Sequence, residues 1–166
     1  MHPVIVVMGV SGSGKSTIGA LLARDLEVPF TDADDLHPLA NIEKMASGVP
    51  LDDDDRRPWL EIVGATLADA QRTGSGLVIA CSALKRAYRD TILAQAPTTQ
   101  FVHLHGSRDV LAARTEARSG HFMPASLLDS QLAVLEPLGP DEPGIVVDVA
   151  VPVETIVDLL AARLGD

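Results

Sequence analysis

The sequence predicts an α/β fold in which helices cover both faces of a parallel sheet. Short apolar runs alternate with amphipathic helical patterns along the 166 residues, as βαβ units do. The apolar runs are continuous, which is typical of parallel strands that are buried on both faces. The length suits one core and no internal repeat is visible, so we interpret residues 1–166 as a single domain.

Five apolar runs are predicted strands, and five helical patterns lie among them. The strands are predicted at 4–8, 29–31, 77–81, 101–104 and 145–149, and the helices at 15–26, 58–72, 86–94, 109–117 and 153–164. Because proline is tolerated in the first turn of a helix, Pro58 is interpreted as a helix start. Gly120 and Pro124 interrupt the helical pattern over 119–126, which makes that stretch a candidate mobile segment.

Charge and composition argue against several classes of partner. The formal net charge is −10, whereas nucleic acids and anionic membranes favour a basic face. The first apolar run is too short to cross a bilayer, and no basic leader precedes it. Cys81 is the only cysteine, which excludes an intrachain disulfide, and its apolar surroundings indicate a buried, inert thiol. We therefore expect a cytoplasmic protein that binds neither nucleic acid nor membrane.

A glycine-rich segment after the first strand carries the strongest motif. GVSGSGKS at 9–16 matches G-x-x-x-x-G-K-[ST] in full and opens a predicted helix, as a phosphate-binding loop requires. Its backbone N–H groups and the helix N-terminus would bind the phosphates of ATP, Lys15 would reach the β- and γ-phosphates, and Ser16 would ligate Mg²⁺. The predicted nucleotide contacts are Gly9, Val10, Ser11, Gly12, Ser13, Gly14, Lys15, Ser16 and Thr17.

This motif identifies a nucleotide-binding fold, but it does not specify a reaction. No Asn-Lys-x-Asp sequence that would read guanine occurs, which disfavours a GTPase. The third strand also lacks the terminal aspartate with which motor-type ATPases hold a metal ion.

Acidic residues follow the second strand, at the edge where parallel sheets bind ligands. We expect Asp32 and Asp34 to point to opposite sides of this segment. Asp32 could then support Mg²⁺ through water, while Asp34 faces an acceptor hydroxyl, orients it and takes its proton. Asp35 could equally be a helix cap. The predicted acceptor region spans about 32–60.

Several segments, taken in order, resemble gluconokinases. They are DDLHPLANIEKM at 34–45, GVPLDDDDRRPWL at 48–60, CSALK at 81–85 with YRD at 88–90, GHFMP at 120–124 and SQ at 130–131. Together with the phosphate loop they are distributed over residues 8–136. One departure is Asp52, where relatives often have Asn; we expect it in a solvated loop.

The resemblance implies a P-loop kinase fold with strand order 2-3-1-4-5, transfer of phosphate from ATP to the 6-hydroxyl of D-gluconate, and a homodimer. The planar fork of Arg56 suits the gluconate carboxylate, unless it pairs with the neighbouring aspartates. Lys85 would bind substrate or be a solvated lysine, and His37 would bind a hydroxyl or pack beside Pro38. Lys44 and Trp59 are interpreted as structural.

The resemblance also implies a lid at about 114–128. Arg114 and Arg118 lie four residues apart, so they share a helix face that could stabilise the transferring phosphoryl group or could simply be solvated. His121 and Gln131 would contact gluconate. Pro152, after the last strand, would pack on the adenine base.

The sequence leaves two other functions open. A shikimate kinase shares the fold, but this chain has CSALK at 81–85 where shikimate kinases carry Gly-Gly-Gly. A nonenzymatic ATP-dependent switch is a second alternative, although it gives no reason for an aspartate pair and a lid.

Overall fold

The computed structural model describes residues 2–117 and 125–165, and within these ranges five strands form one parallel sheet. The order is β2-β3-β1-β4-β5, which confirms the predicted topology. The strands are β1 Val4–Met8, β2 Phe30–Asp32, β3 Leu77–Ala80, β4 Gln100–His105 and β5 Gly144–Asp148.

All five predicted helices are present, and two more were not predicted. The helices are α1 Lys15–Leu26, α2 Leu39–Ala46, α3 Asp53–Thr73, α4 Arg86–Gln95, α5 Arg108–Ala117, α6 Ala125–Val134 and α7 Val153–Leu164, with a short 3-10 turn at Ala33–Leu36. Sequence patterns missed α2 because it is only eight residues long; Asn41 is its one buried residue, and its apolar side chains Leu39, Ile42 and Met45 are exposed. None of the helices in the described ranges combines the length and apolarity that crossing a membrane requires.

The central strand β1 is buried along its whole length and divides the core in two. Ile5 and Val7 face a cluster that includes Ile18 and Leu22 of α1 together with Ile156 and Leu160 of α7. Val6 and Met8 face the opposite cluster, built on α3 and α4 by Trp59, Leu60, Val63, Leu67 and Ile92. The continuous apolar run of β1 therefore reflects burial on both sides of the sheet.

The start of α3 corrects two predictions. The helix begins at Asp53 rather than at Pro58, which lies inside it. Asp52 is its N-cap and not part of a free loop: its Oδ1 accepts from the Asp55 N–H at 2.8 Å, while Asp55 Oδ2 accepts from the Asp52 N–H at 2.9 Å. This capping box, with three aspartates in the first turn near the positive end of the helix dipole, explains why the helix starts before the proline.

The cysteine prediction is confirmed. Cys81 is buried directly after β3, and burial raises the pKa of its thiol to about 12. The neutral thiol packs as a small apolar side chain at the edge of the sheet where the loops converge.

An ion pair that the sequence did not reveal joins α4 to the segment before β5. The Arg89 and Glu142 side chains are 0% and 2% exposed, and Arg89 Nε and Nη2 donate to the two Glu142 oxygens at 2.6 and 3.1 Å. Arg89 Nη1 also donates to the Ala83 carbonyl at 2.9 Å. The pair therefore anchors the loop that follows β3.

Replacing Glu142 with alanine should lower the free energy of unfolding by about 3–5 kcal/mol, because it leaves the Arg89 charge buried without its partner. Urea denaturation of the variant measures this change. Asp69→Ala, which removes the partner of Arg72 from an exposed pair, is the control and should have a far smaller effect. A Glu142→Ala variant as stable as the parent would contradict the structural role of the pair.

Candidate active site

A cavity of about 500 Å³ opens beyond the carboxyl ends of β1, β2 and β3. The phosphate loop contributes Ser11, Gly12, Lys15 and Ser16 to its wall, and the segment after β2 contributes Asp32 and Asp34. Parallel strands bring the loops that follow them to one edge of the sheet, which is why two segments distant in sequence meet here.

The phosphate loop has a conformation that only glycine adopts readily. Gly12 and Gly14 have φ values of 82° and 94°, and Gly14 is the N-cap of α1. A Cβ at Gly9 would lie 2.8 Å from Ser13 Oγ and 3.0 Å from the Leu104 carbonyl oxygen. The predicted loop is therefore a tight turn that leads into a helix N-terminus, which favours a bound anion.

Other members of the motif differ in what they present to a ligand. Lys15 lines the cavity, and its Nζ donates to the Val10 carbonyl at 3.1 Å. The side chains of Val10 and Ser13 are buried, so these residues offer backbone groups to a ligand, whereas Thr17 is exposed. The buried Ser13 Oγ has no hydrogen-bond partner within the described part of the chain.

Ser16 and Asp32 form a pair of oxygen donors suited to a divalent cation. Ser16 Oγ donates to Asp32 Oδ2 at 3.1 Å, which joins the start of α1 to the end of β2. Hydroxyl, carboxylate and phosphate oxygens are the ligands that Mg²⁺ prefers. The residues present therefore fit Mg²⁺ bound to a nucleotide in the phosphate loop.

The predicted geometry of the two aspartates is wrong. The chain leaves the extended conformation after Asp32, which caps the 3-10 turn by accepting from the Asp34 N–H at 3.0 Å. Both carboxylates line the same cavity. The premise of the prediction was also wrong, because residues i and i+2 of an extended segment lie on one face of it. Burial and the nearby Asp32 carboxylate raise the pKa of Asp34 above its ordinary value, against the opposing effects of His37 and Lys15.

The cavity wall also contains Arg56, His37 and Trp59. Arg56 Nη1 lies 3.4 Å from the Tyr88 hydroxyl and 3.9 Å from Asp53 Oδ1, a long ion pair. His37 stacks on Trp59 with ring centroids 4.2 Å apart, so it packs against Trp59 and also lines the cavity. The structural interpretation of Trp59 is confirmed, since its Nε1 donates to the Ala33 carbonyl at 2.7 Å.

Outside the phosphate loop, the predicted site residues Lys85, Arg114 and Pro152 are not among the described residues that line the cavity. Lys85 pairs with Asp53 at 3.1 Å instead. Arg114 donates to the Val149 carbonyl at 2.7 Å, next to Pro152, which is the N-cap of α7. Arg114 therefore lies at the turn that is predicted to flank the adenine base, and not at the phosphate loop.

The remaining predictions fall on α6 and on the segment before it. Gln131 lines the cavity and binds the phosphate loop: its Oε1 accepts from the Ser11 N–H at 2.6 Å and its Nε2 donates to Ser11 Oγ at 3.1 Å. Arg118 and His121, with the rest of residues 118–124 of the predicted lid, lie outside the described residues.

Sequence reasoning missed the residues that support this site. Asp53 binds both Lys85 and Tyr88, and the Tyr88 hydroxyl donates to Asp53 Oδ1 at 2.5 Å. Asn41 contacts His37 and the Asp55 carbonyl. All three lie in segments that resemble gluconokinases, which was the only signal available, because residue type alone does not distinguish them from ordinary surface positions.

Comparisons with known proteins agree with this geometry. The family model described as "AAA domain" matches residues 4–138. The thermoresistant gluconokinase of Escherichia coli (strain K12) is 46% identical over 157 residues, which cover 94% of this chain and 90% of that protein. The gluconokinase of Gluconobacter oxydans (strain 621H) is 51% identical over 139 residues, covering 84% and 78%.

A solved structure extends the similarity to three dimensions. The crystal structure of a gluconokinase from Sinorhizobium meliloti 1021 has a TM-score of 0.87 and 49% sequence identity, and the match covers 98% of this chain and 91% of that one. Sequence identity near one half over most of each chain, with the same arrangement of strands and helices, shows common descent. This chain, with its P-loop kinase fold, therefore belongs to the gluconokinase family.

Proposed function

We propose that this protein transfers the γ-phosphoryl group of ATP to the 6-hydroxyl of D-gluconate, which yields ADP and 6-phospho-D-gluconate. The similarity to gluconokinases supports the substrate. The observation that carries the mechanism is that one cavity holds both the phosphate loop and Asp34, so donor and acceptor can meet there.

The nucleotide end of the site acts through fixed positive charge. The backbone N–H groups of the loop and the start of α1 hold the phosphates, and Lys15 neutralises charge on the group that is transferred. Ser16 and Asp32 are the residues that would hold Mg²⁺, Asp32 through water, and the bound ion would draw negative charge from the phosphates.

Asp34 is the proposed general base. Its carboxylate can accept a hydrogen bond from the acceptor hydroxyl, orient the attacking oxygen and take its proton as the new bond forms. A raised pKa makes this carboxylate a better proton acceptor than an ordinary aspartate. Asp34 must be ionised to act, so activity should fall when it is protonated.

Arg56 is the proposed partner of the gluconate carboxylate. It lines the cavity, and its pairing with Asp53 is long at 3.9 Å, so the guanidinium can form bidentate hydrogen bonds to a ligand. Lys85 reaches gluconate only if it leaves Asp53, and we therefore propose a weaker role for it. Contacts of Gln131 and His121 with gluconate remain proposals.

The proposed adenine site lies between α5 and α7. Pro152 would pack on the base, and Arg114 next to it would act on the nucleotide. After movement of the lid at about 114–128, Arg114 and Arg118 would also act on the transferring phosphoryl group. We also retain residues 1–166 as one domain, a homodimer and a cytoplasmic location as parts of this proposal; a chain with one buried cysteine is compatible with a reducing compartment.

Gluconate should stimulate ADP release far more than shikimate or glycerol does. The reason is that Asp34 and Arg56 present a base and a carboxylate partner in one cavity. A coupled ADP-release assay with each acceptor measures the difference. Equal stimulation by shikimate would reject gluconate as the specific substrate, but it would not reject the kinase activity. ATP turnover independent of any acceptor would favour a nonenzymatic switch with residual hydrolysis.

Asp34→Asn should lower kcat by about 10²–10⁴, because the amide keeps the shape of the side chain but cannot take a proton. Its affinity for ATP, measured by calorimetry, should stay within a few-fold of the parent. Lys15→Ala is the matched variant at the nucleotide end and should lower turnover by about 10²–10³. Full activity of Asp34→Asn together with loss of activity in Asp32→Asn would exchange the proposed roles of the two carboxylates.

The acid limb of kcat/KM for gluconate should lie above the ordinary aspartate pKa of 3.8, because burial and Asp32 raise the pKa of Asp34. Activity should therefore already decline at a pH where a solvated aspartate is still ionised. A pH–rate profile at saturating ATP tests this. A profile that stays flat down to the ordinary aspartate range would contradict Asp34 as the titrating base.

A further inference from the structure

His37 is held on two sides within the acceptor cavity. One face of its ring stacks on Trp59, with 14° between the ring planes, and its Nδ1 lies 3.2 Å from Nδ2 of Asn41. Its other nitrogen, Nε2, has no hydrogen-bond partner among the described residues. His37 can therefore offer Nε2 to a ligand in the cavity.

The Asp55 carbonyl determines the orientation of the Asn41 amide. Asn41 is 5% exposed, and its Nδ2 lies 3.0 Å from the Asp55 carbonyl oxygen, which can only accept a hydrogen bond. The atom at that position must therefore be the NH₂ group and not the amide oxygen, because two oxygens would repel each other. The same NH₂ group then faces His37.

This orientation decides where the histidine proton lies. An amide NH₂ group only donates, so Nδ1 of His37 must be the acceptor and cannot carry a proton. We propose that Asn41 is a positioning residue that holds His37 as a neutral imidazole protonated on Nε2, and that this N–H donates to a substrate hydroxyl oxygen beside Asp34.

The charged groups around His37 shift its pKa in both directions. Burial lowers the pKa of His37 below its ordinary value, the Asp34 carboxylate opposes this and Arg56 reinforces it. Trp59 and Asn41, the other contacts described above, are uncharged. A second ring proton on Nδ1 would also meet the Asn41 NH₂ group, so the neutral form is favoured by geometry as well as by burial.

A neutral donor suits the neighbouring base better than a cation would. A positive charge on His37 lowers the pKa of Asp34, because it stabilises the carboxylate, and this weakens Asp34 as a proton acceptor. The neutral Nε2–H can donate to a hydroxyl oxygen while Asp34 accepts from a hydroxyl hydrogen. The pair thus recognises a polyol without reducing the basicity of Asp34. The identity of the hydroxyl rests on the proposed function, whereas the tautomer does not.

The tautomer can be measured directly on the full chain. Ring ¹H–¹⁵N couplings in protein labelled at histidine should show His37 protonated on Nε2 and unprotonated on Nδ1 at neutral pH, with the signal assigned by its loss in His37→Phe. A ring protonated on Nδ1, or a cationic ring, would overturn the proposal. Because no substrate is needed, this result stands even if gluconate proves not to be phosphorylated.

Asn41→Asp should reverse the tautomer, because a carboxylate accepts from Nδ1–H. The KM for gluconate should rise about tenfold with the loss of one hydrogen bond, and the KM for ATP should change little. Lys44→Met is the control for loosening α2, since it removes the 2.6 Å pair with Asp55 without touching His37, and it should leave the tautomer unchanged. A change of tautomer in Lys44→Met would contradict the assignment to Asn41.

A double-mutant cycle separates an action through His37 from a simple change of charge. In the His37→Phe background, which keeps an aromatic ring on Trp59, Asn41→Asp should add less than about twofold to the KM for gluconate. If it again adds tenfold, Asn41 does not act through His37 and the proposal fails. If Asn41→Asp does not fold, as thermal denaturation will show, the spectrum of the parent protein still decides the tautomer.

Discussion

Because β1, β2 and β3 run parallel and in register, the chain leaves all three at the same edge of the sheet. The phosphate loop follows β1, the aspartates end and follow β2, and the loop anchored by Arg89 follows β3. Every contact in the proposed reaction depends on this alignment. The hydrogen bond from Ser16 to Asp32 is its most local consequence, since it joins residues 16 positions apart across the edge.

On the acceptor side of the cavity, Asp55 joins neighbouring segments of the chain through hydrogen bonds. Its carboxylate accepts from Lys44 and from the Asp52 N–H, its own N–H donates to Asp52, and its carbonyl accepts from Asn41. One residue thereby caps α3 and attaches α2 to it. Hydrogen bonds from Lys44 and Asp52 keep the pKa of the Asp55 carboxyl below its ordinary value, so the attachment persists into mildly acidic solution. Through Asn41 the same residue influences the ring of His37.

Some cationic side chains of this acidic chain pair with its own carboxylates and support the fold, and others line the cavity and can bind a ligand. Arg89 is buried on Glu142, and Lys85 pairs with Asp53, so both are occupied by carboxylates of the protein. Arg56 has a long ion pair with Asp53 and a 3.4 Å contact with the Tyr88 hydroxyl, and it lines the cavity. Within the described residues, Lys15 and Arg56 are thus the cations positioned at opposite ends of the proposed reaction, one toward the nucleotide and one toward the sugar acid.

The sequence by itself determined the fold class, the strand order through the family resemblance, and the phosphate loop. These depend on local patterns: continuous apolar runs, helical periodicity, and glycines that permit a positive φ. The buried thiol of Cys81 and the structural role of Trp59 were predictable for the same reason. Sequence also brought Asp34 into consideration from its place after the second strand, and His37 and Arg56 as members of segments that resemble gluconokinases.

Only the tertiary structure decided how these side chains face one another. Asp32 caps a 3-10 turn and lines the same cavity as Asp34, and α3 begins at Asp53 because a capping box precedes Pro58. Lys85 pairs with Asp53, 32 positions away in the sequence. Asn41 determines which ring nitrogen of His37 carries the proton, across four positions. Such choices depend on which partner lies within hydrogen-bond distance after packing, and residue type does not specify that distance.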